Sequence, residues 1–143
     1  MEKISTLEVK RLSPDATLPT RAYPDDAGLD IYGLEDALMG PSEGKMLATG
    51  VAMAIPVGHV GMVCDRSSMA KKGIKTAGGI IDAGYRGELK IVLWNLSKEQ
   101  IRVVRGERIA QLLVLPIQTP AVKEVSDLSS AERGDKGFGS SGK

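Results

Sequence analysis

Met46-Leu-Ala-Thr-Gly-Val51-Ala-Met53-Ala-Ile55 alternates large and small apolar side chains. Val51, Met53 and Ile55 fall on one side of an extended chain and Ala52 and Ala54 on the other, the two-residue period of a strand covering a core. A helix has no use for that alternation. Similar short runs recur at residues 7–12, 29–32, 60–64, 89–96 and 101–104, and glycine or proline punctuates nearly every gap between them. Only residues 36–39 and 67–72 look briefly helical. Neither is long enough for an amphipathic helix, so the pattern excludes repeated βαβ units and predicts an all-β sandwich or jelly roll.

Residues 109–117 are apolar except for Gln111 and Pro116. The run reads as a strand buried on both faces, and the single amide inside it needs a reason, which makes Gln111 a candidate site residue. Cys64 and Trp94, each inside an apolar run, read as core residues, and His59, between turn residues, as structural. From Ser126 the composition turns to Ser, Gly and charge, with Phe138 the one large apolar residue after Leu128. The expected organisation is therefore a β domain over residues 1–125 and a flexible tail over 126–143, with no internal repeat.

A chain of 143 residues fits one domain, and 17 glycines with 7 prolines favour many turns. Lys and Arg (19) nearly balance Asp and Glu (18), so no global field recruits nucleic acid or an anionic membrane. With one Cys and one His there is neither an intrachain disulfide nor a zinc cluster. No signal-peptide stretch opens at Met1 and no run of roughly 20 apolar residues follows, so the expected location is the cytoplasm.

Four polar segments carry the chemistry. In Gly79-Ile-Ile81-Asp82-Ala-Gly84-Tyr85-Arg-Gly-Glu88, followed by an apolar run, the pattern is strand, tight turn at Ala83-Gly84, strand. Such a hairpin presents Asp82, which can deprotonate a water, beside Tyr85, which can pack on a sugar or base. An Asp there is also what turns use for their own stability. Asp65-Arg66-Ser67-Ser68 sets a planar cation beside two hydroxyls, suited to phosphate oxygens or, more plainly, to a helix start. Asp25, Asp26 and Asp30 offer oxygen to a hydrated cation or simply shape a turn. Finally, Gly137, Gly139 and Gly142 match G-x-G-x-x-G, but no strand precedes them and no helix can follow. A strap of N–H groups and hydroxyls with Phe138 for stacking, or a plain disordered tail, fits better.

The order of these pieces is more specific than any one of them. Ala-Gly28-Leu-Asp30, Arg66-Ser-Ser-Met-Ala, Gly79-Ile-Ile-Asp82-Ala-Gly-Tyr85-Arg-Gly-Glu88, Arg108-Ile-Ala-Gln111-Leu and Arg133-Gly-x-x-Gly-Phe138-Gly139-Ser140-Ser141-Gly142 resemble the five motifs of the trimeric dUTPases, spanning residues 18–142. The resemblance implies a jelly roll, a homotrimer with active sites shared between chains, and hydrolysis of dUTP to dUMP and pyrophosphate. That reaction limits uracil incorporation into DNA and supplies dUMP for dTMP synthesis. In the same terms Asp82 activates the attacking water and Tyr85 excludes a 2′-hydroxyl. The hairpin around Thr76, Gly79 and Ile81 reads uracil largely through its main chain. Asp30 and Gln111 hold Mg²⁺ through its waters, without a direct protein ligand. Arg66, Ser67 and Ser68 contact phosphates, and Arg133, Phe138, Gly139, Ser140 and Ser141 form the closing tail.

Two positions depart from the family pattern. Asp65 precedes Arg66 where Gly or Pro is common, adding a negative charge that a cation such as Lys71 should offset, and Thr76 replaces an Asn found near uracil in some members. A dCTP deaminase is the nearest rival, but the position of its catalytic Glu is Val92 here, which cannot carry a proton. A nucleotide-binding regulator without turnover is the rival of another class.

Overall fold

A computed structural model describes residues 3–142; Met1, Glu2 and Lys143, the ends of the expected domain and tail, lie outside the described residues. Eleven strands and one short helix follow in order: β1 Glu8–Arg11, β2 Leu29–Tyr32, β3 Ala37–Met39, β4 Gly44–Ala48, β5 Val51–Ala54, β6 His59–Cys64, α1 Ser67–Lys71, β7 Ile74–Ala77, β8 Ile80–Ile81, β9 Lys90–Asn95, β10 Ile101–Val103 and β11 Arg108–Pro116. All pairings are antiparallel, in a sheet ordered β2-β11-β6-β8, a second ordered β4-β9-β7, and two-stranded ribbons β1-β5 and β3-β10.

The two larger sheets share one core. Ile31, Val63, Ile109, Ala110 and Leu112 enter it from the first, and Leu47, Ile74, Ile91 and Leu93 from the second. Because Leu93 and Leu112 are fully buried, truncating either to Ala would cost about 2–5 kcal/mol. Asn95, also fully buried, satisfies its whole amide: Nδ2 donates to the carbonyls of Met39, Gly40 and Glu99, and Oδ1 accepts from Ser97 N and Oγ. The amide fixes the start of the β9–β10 connection against the end of β3. The jelly roll expected from the sequence is the fold.

Several local expectations are corrected. Residues 36–39 are not helical: Ala37–Met39 pairs with Ile101–Val103 and buries Met39 completely, a gain that one isolated helical turn cannot match. The alternating run at 46–55 is two strands. It breaks at Gly50, whose φ of 71° favours glycine and where a Cβ would lie 2.8 Å from Ala16 Cβ, so β4 joins β9 while β5 joins β1. Trp94 is not core: it is 43 % exposed on the outer face of β9, its indole lying over Gly44. Cys64 is not core either: it is half-buried on the sheet face away from the core, in register with Gln111. The turn at Ala83-Gly84 forms, with Tyr85 N donating to Asp82 O at 3.1 Å, but its flanking strands do not pair as a hairpin. β8 pairs with β6, and β9 with β4 and β7. Among the described residues no helix is long and apolar enough to cross a membrane.

Candidate active site

The reason for Gln111 lies in the register. On the central strand β11 it stands opposite Asp30 of β2 and Cys64 of β6, so Asp30 and Gln111 project side by side from the face away from the core. Arg66, two residues past Cys64, turns back over them. Its Nε lies 3.3 Å from Asp30 Oδ1, and its Nη1 donates to Ser68 Oγ (3.2 Å) and to Arg108 O (3.1 Å). Gln111 Nε2 donates to Asp65 O at 2.7 Å. Gly28 leaves room for this amide, because a Cβ there would overlap Gln111 Oε1 and displace it. Gly28, Asp30, Arg66, Ser67 and Gln111 line a cleft of about 380 Å³ together with Ala22, Asp26, Ala27 and Arg108, while Ser68 stands just outside that lining, bonded to Arg66.

Arg108 is the cleft residue that alternation conceals. Counted back from Gln111, strict two-residue alternation turns position 108 towards the core. The register with β2 slips between Arg108 and Ala110, and this bulge turns the Arg108 side chain outward, where Nη1 lies 3.5 Å from Asp30 Oδ2. One carboxylate thereby orients two guanidinium groups, each with donors left for an anion. The mostly buried Asp30 carboxylate is committed to cations, and among the described residues no three His, Cys, Asp or Glu side chains gather as a metal cage.

A second group of residues lies elsewhere on the chain. Gly78 and Gly79, with φ near 81° and 80°, bend the chain out of β7 into β8. Gly79 O accepts from Val63 N at 2.7 Å, and a Cβ at 79 would press within 3.1 Å of Val63 O, so the approach needs glycine. Ile81 pairs with Gly61, and Asp82 follows it, exposed. Arg86 Nη1 donates to Ala83 O (2.6 Å) and to Tyr85 O (3.1 Å), bracing the turn. Tyr85 Oη donates to Glu88 O at 2.7 Å, and the ring lies against Gly87, where a Cβ would come within 2.6 Å of that hydroxyl. The Thr76 hydroxyl faces away from this region: Oγ1 and N both donate to Asp65 Oδ1, at 2.6 and 2.7 Å.

Asp65 thus has its counter-charge, but not from Lys71. Lys75 Nζ lies 3.0 Å from Oδ2. Partial burial pushes the Asp65 carboxyl up, while the hydrogen bonds from Thr76 Oγ1 and N and the Lys75 ammonium together outweigh it, leaving the group below its ordinary value.

The two groups are far apart within one chain. Extending the β6–β8 register sets Asp82 level with Val60, while the Asp30–Gln111 pair that Arg66 folds back onto is level with Cys64, four residues further along, roughly 13 Å at 3.3 Å per residue. Neither Asp82 nor Tyr85 lines the cleft. The tail forms a third group. The last backbone bond to the body is Ile117 N to Gly58 O, beyond which the backbone bonds are local. Arg133 Nε donates to Lys136 O, Gly139 has φ 89°, and Phe138, Ser140 and Ser141 are exposed, so the structure brings none of these to the cleft or to Asp82.

Known proteins resemble the chain over nearly its whole length. Among curated relatives, the deoxyuridine 5′-triphosphate nucleotidohydrolase of Mycolicibacterium gilvum is 46% identical, with 96% of each chain covered. That of Corynebacterium glutamicum is 41% identical over 100% of this chain and 99% of its own. Among solved structures, the Staphylococcus bacteriophage 80alpha dUTPase G164S mutant with dUpNHpp superposes with a TM-score of 0.91 at 37% identity, covering 97% of this chain and 99% of that one. The dUTPase of phage phi11 gives 0.83 at 32%, covering 89% and 100%. The dUTPase family model itself matches residues 14–142, and this chain belongs to the dUTPase family.

Proposed function

We propose that this protein is a dUTP diphosphatase, hydrolysing dUTP to dUMP and pyrophosphate in sites built between copies of the chain, most simply in a homotrimer. The observation that carries the shared site is that Asp82 lies outside the cleft lining, roughly 13 Å along the sheet from the Asp30–Arg66 pair, since a carboxylate side chain cannot span that gap to reach an α-phosphate seated on Arg66 of its own chain. The solved 80alpha relative binds dUpNHpp, a triphosphate analogue, at nearly full-length similarity.

In this reading the triphosphate of dUTP lies in the cleft of one chain, where Arg66, Arg108 and the Ser67 hydroxyl hold its oxygens, and Ser68 joins them from the rim, where it is bonded to Arg66. The turn of a neighbouring chain brings Asp82, which takes a proton from the water attacking the α-phosphorus while pyrophosphate departs. Pinned to Glu88 O and resting on Gly87, Tyr85 presents a fixed face to the sugar, leaving no room for a 2′-hydroxyl. Main-chain groups around Gly79 and Ile81 read uracil, and Thr76 contributes through its strand because its hydroxyl is occupied. The tail over 126–143 closes on the assembled site: Arg133, Ser140, Ser141 and the N–H of Gly139 on phosphates, Phe138 on the base.

The donor set at the cleft fits Mg²⁺ held through water. Asp30 and Gln111 are hard oxygen donors, yet Asp30 is shared by two arginines, leaving it outer-shell contacts. The ion, bound mainly by phosphate oxygens, would neutralise their charge. The expected setting is the cytoplasm, where the reaction keeps uracil out of DNA and provides dUMP. Val92, between Met46 and Ala77 across the sheet, offers no proton carrier for deamination.

Incubating the protein with dUTP, dCTP and UTP plus Mg²⁺, and following pyrophosphate and ammonia separately, tests the assignment. Pyrophosphate from dUTP alone is expected. Asp82→Asn should lower that turnover by roughly 10²–10⁴-fold while binding of dUpNHpp persists, and unchanged turnover would remove Asp82 from the role.

A further inference from the structure

The two positions that set this chain apart from its family's pattern, Asp65 and Thr76, touch each other. Asp65 stands in the connection from β6 to α1, and Thr76 is the third residue of β7. One Asp65 oxygen accepts both Thr76 donors, the other meets Lys75, and the Asp65 carbonyl accepts from Gln111 Nε2. The next residue, Arg66, reaches Asp30. Asp65 is therefore bonded to β7 on one side and to the phosphate cleft on the other.

We propose that Asp65 is a positioning residue for the phosphate cleft, its carboxylate clamped to Thr76 and Lys75 so that its carbonyl holds the Gln111 amide and Arg66 is delivered to Asp30. The inference rests on the cleft being the seat of the triphosphate. One side of the clamp is rigid and the other is not. β7 is held to β9 by four consecutive pairs, Ile74↔Asn95 to Ala77↔Val92, whereas the Asp65–Arg66 connection leaves the ladder at Cys64. Releasing the clamp moves the connection and spares the strand. The phosphate contacts suffer, and base reading at the β7–β8 bend does not. Since those contacts bind substrate and transition state alike, their loss appears in KM rather than in kcat.

The test compares Asp65→Ala, Thr76→Val and the double variant. Asp65→Ala is expected to raise KM for dUTP about 10-fold and to weaken dUpNHpp by the same factor, with kcat within about 2-fold and deoxyuridine affinity unchanged. Thr76→Val, which keeps the backbone donor, should give about 3-fold, and Thr76→Ser should restore wild-type affinity. The double variant should be no worse than Asp65→Ala, because both act through one contact. A purely structural role would lower Tm and leave KM and dUpNHpp affinity at wild-type values, which overturns the proposal, as does an additive double variant. If Asp65→Ala does not fold, wild-type dUpNHpp affinity in Thr76→Val overturns it alone. Failure of the functional assignment is separate, because then the wild-type protein itself leaves dUTP intact.

Discussion

Two inactive proteins should make an active one. Asp82→Asn removes the base and leaves the cleft intact; Arg66→Ala damages the cleft and leaves the Asp82 turn intact. Assayed at dUTP well below KM, each alone is expected to lose roughly 10²-fold or more of its rate, Asp82→Asn through kcat and Arg66→Ala through KM. If the gap between the two groups, roughly 13 Å along the sheet, is bridged by a neighbouring chain, a ring of three holding both variants always contains one junction where an intact Asp82 turn meets an intact cleft. Two of one variant and one of the other give one such junction in either arrangement. Coexpression with two different tags and purification on both selects these mixed rings, whose specific activity should be about one third of wild type. Activity no higher than that of the parents would mean that each site is completed within its own chain, and would refute the geometric reasoning. Recovery near wild type would contradict the one-in-three count.

Gly28→Ala should drive the Gln111 amide from its place, since the new Cβ would meet Oε1; about a 10-fold fall in kcat/KM with 1–3 kcal/mol lost in chemical unfolding is expected. Truncation before Arg133 should sharply reduce dUTP turnover, while Tm moves by less than about 2 °C because no described residue of the tail belongs to the core cluster or bonds its backbone to the body. Because the Asp65 carboxyl titrates below 3.8 in the folded chain, its ionised form stabilises the fold above the unfolded value, and that contribution disappears as pH falls through the folded one. Urea unfolding should therefore find wild type more stable than Asp65→Asn at pH 7, with the gap closing below pH 3.8. A gap that widens in acid would contradict the Thr76 and Lys75 contacts.

Most strands were legible because their burial is one-sided or complete, and both conditions leave a period in the sequence. The exceptions have physical causes. β7 carries Lys75 and Thr76 and so leaves no apolar run in the sequence, and the contact with Asp65 explains the buried hydroxyl there. β3 is three residues long, too short for periodicity to separate it from a turn. Asp82, Tyr85, Arg66 and Gln111 were readable as chemistry, but the distance between the first pair and the second depends on long-range pairing that no local pattern encodes. Arg108 was hidden by a bulge, which alternation cannot register.

Trp94 gives the protein one more property. It is the only tryptophan in the chain, and it sits half in solvent on the flank of β9, stacked over a glycine. Ultraviolet emission at long wavelength therefore comes from a single address, outside the lining of the cleft. A blue shift as protein concentration rises would record another subunit covering that flank, and iodide quenching would count how many indoles stay wet.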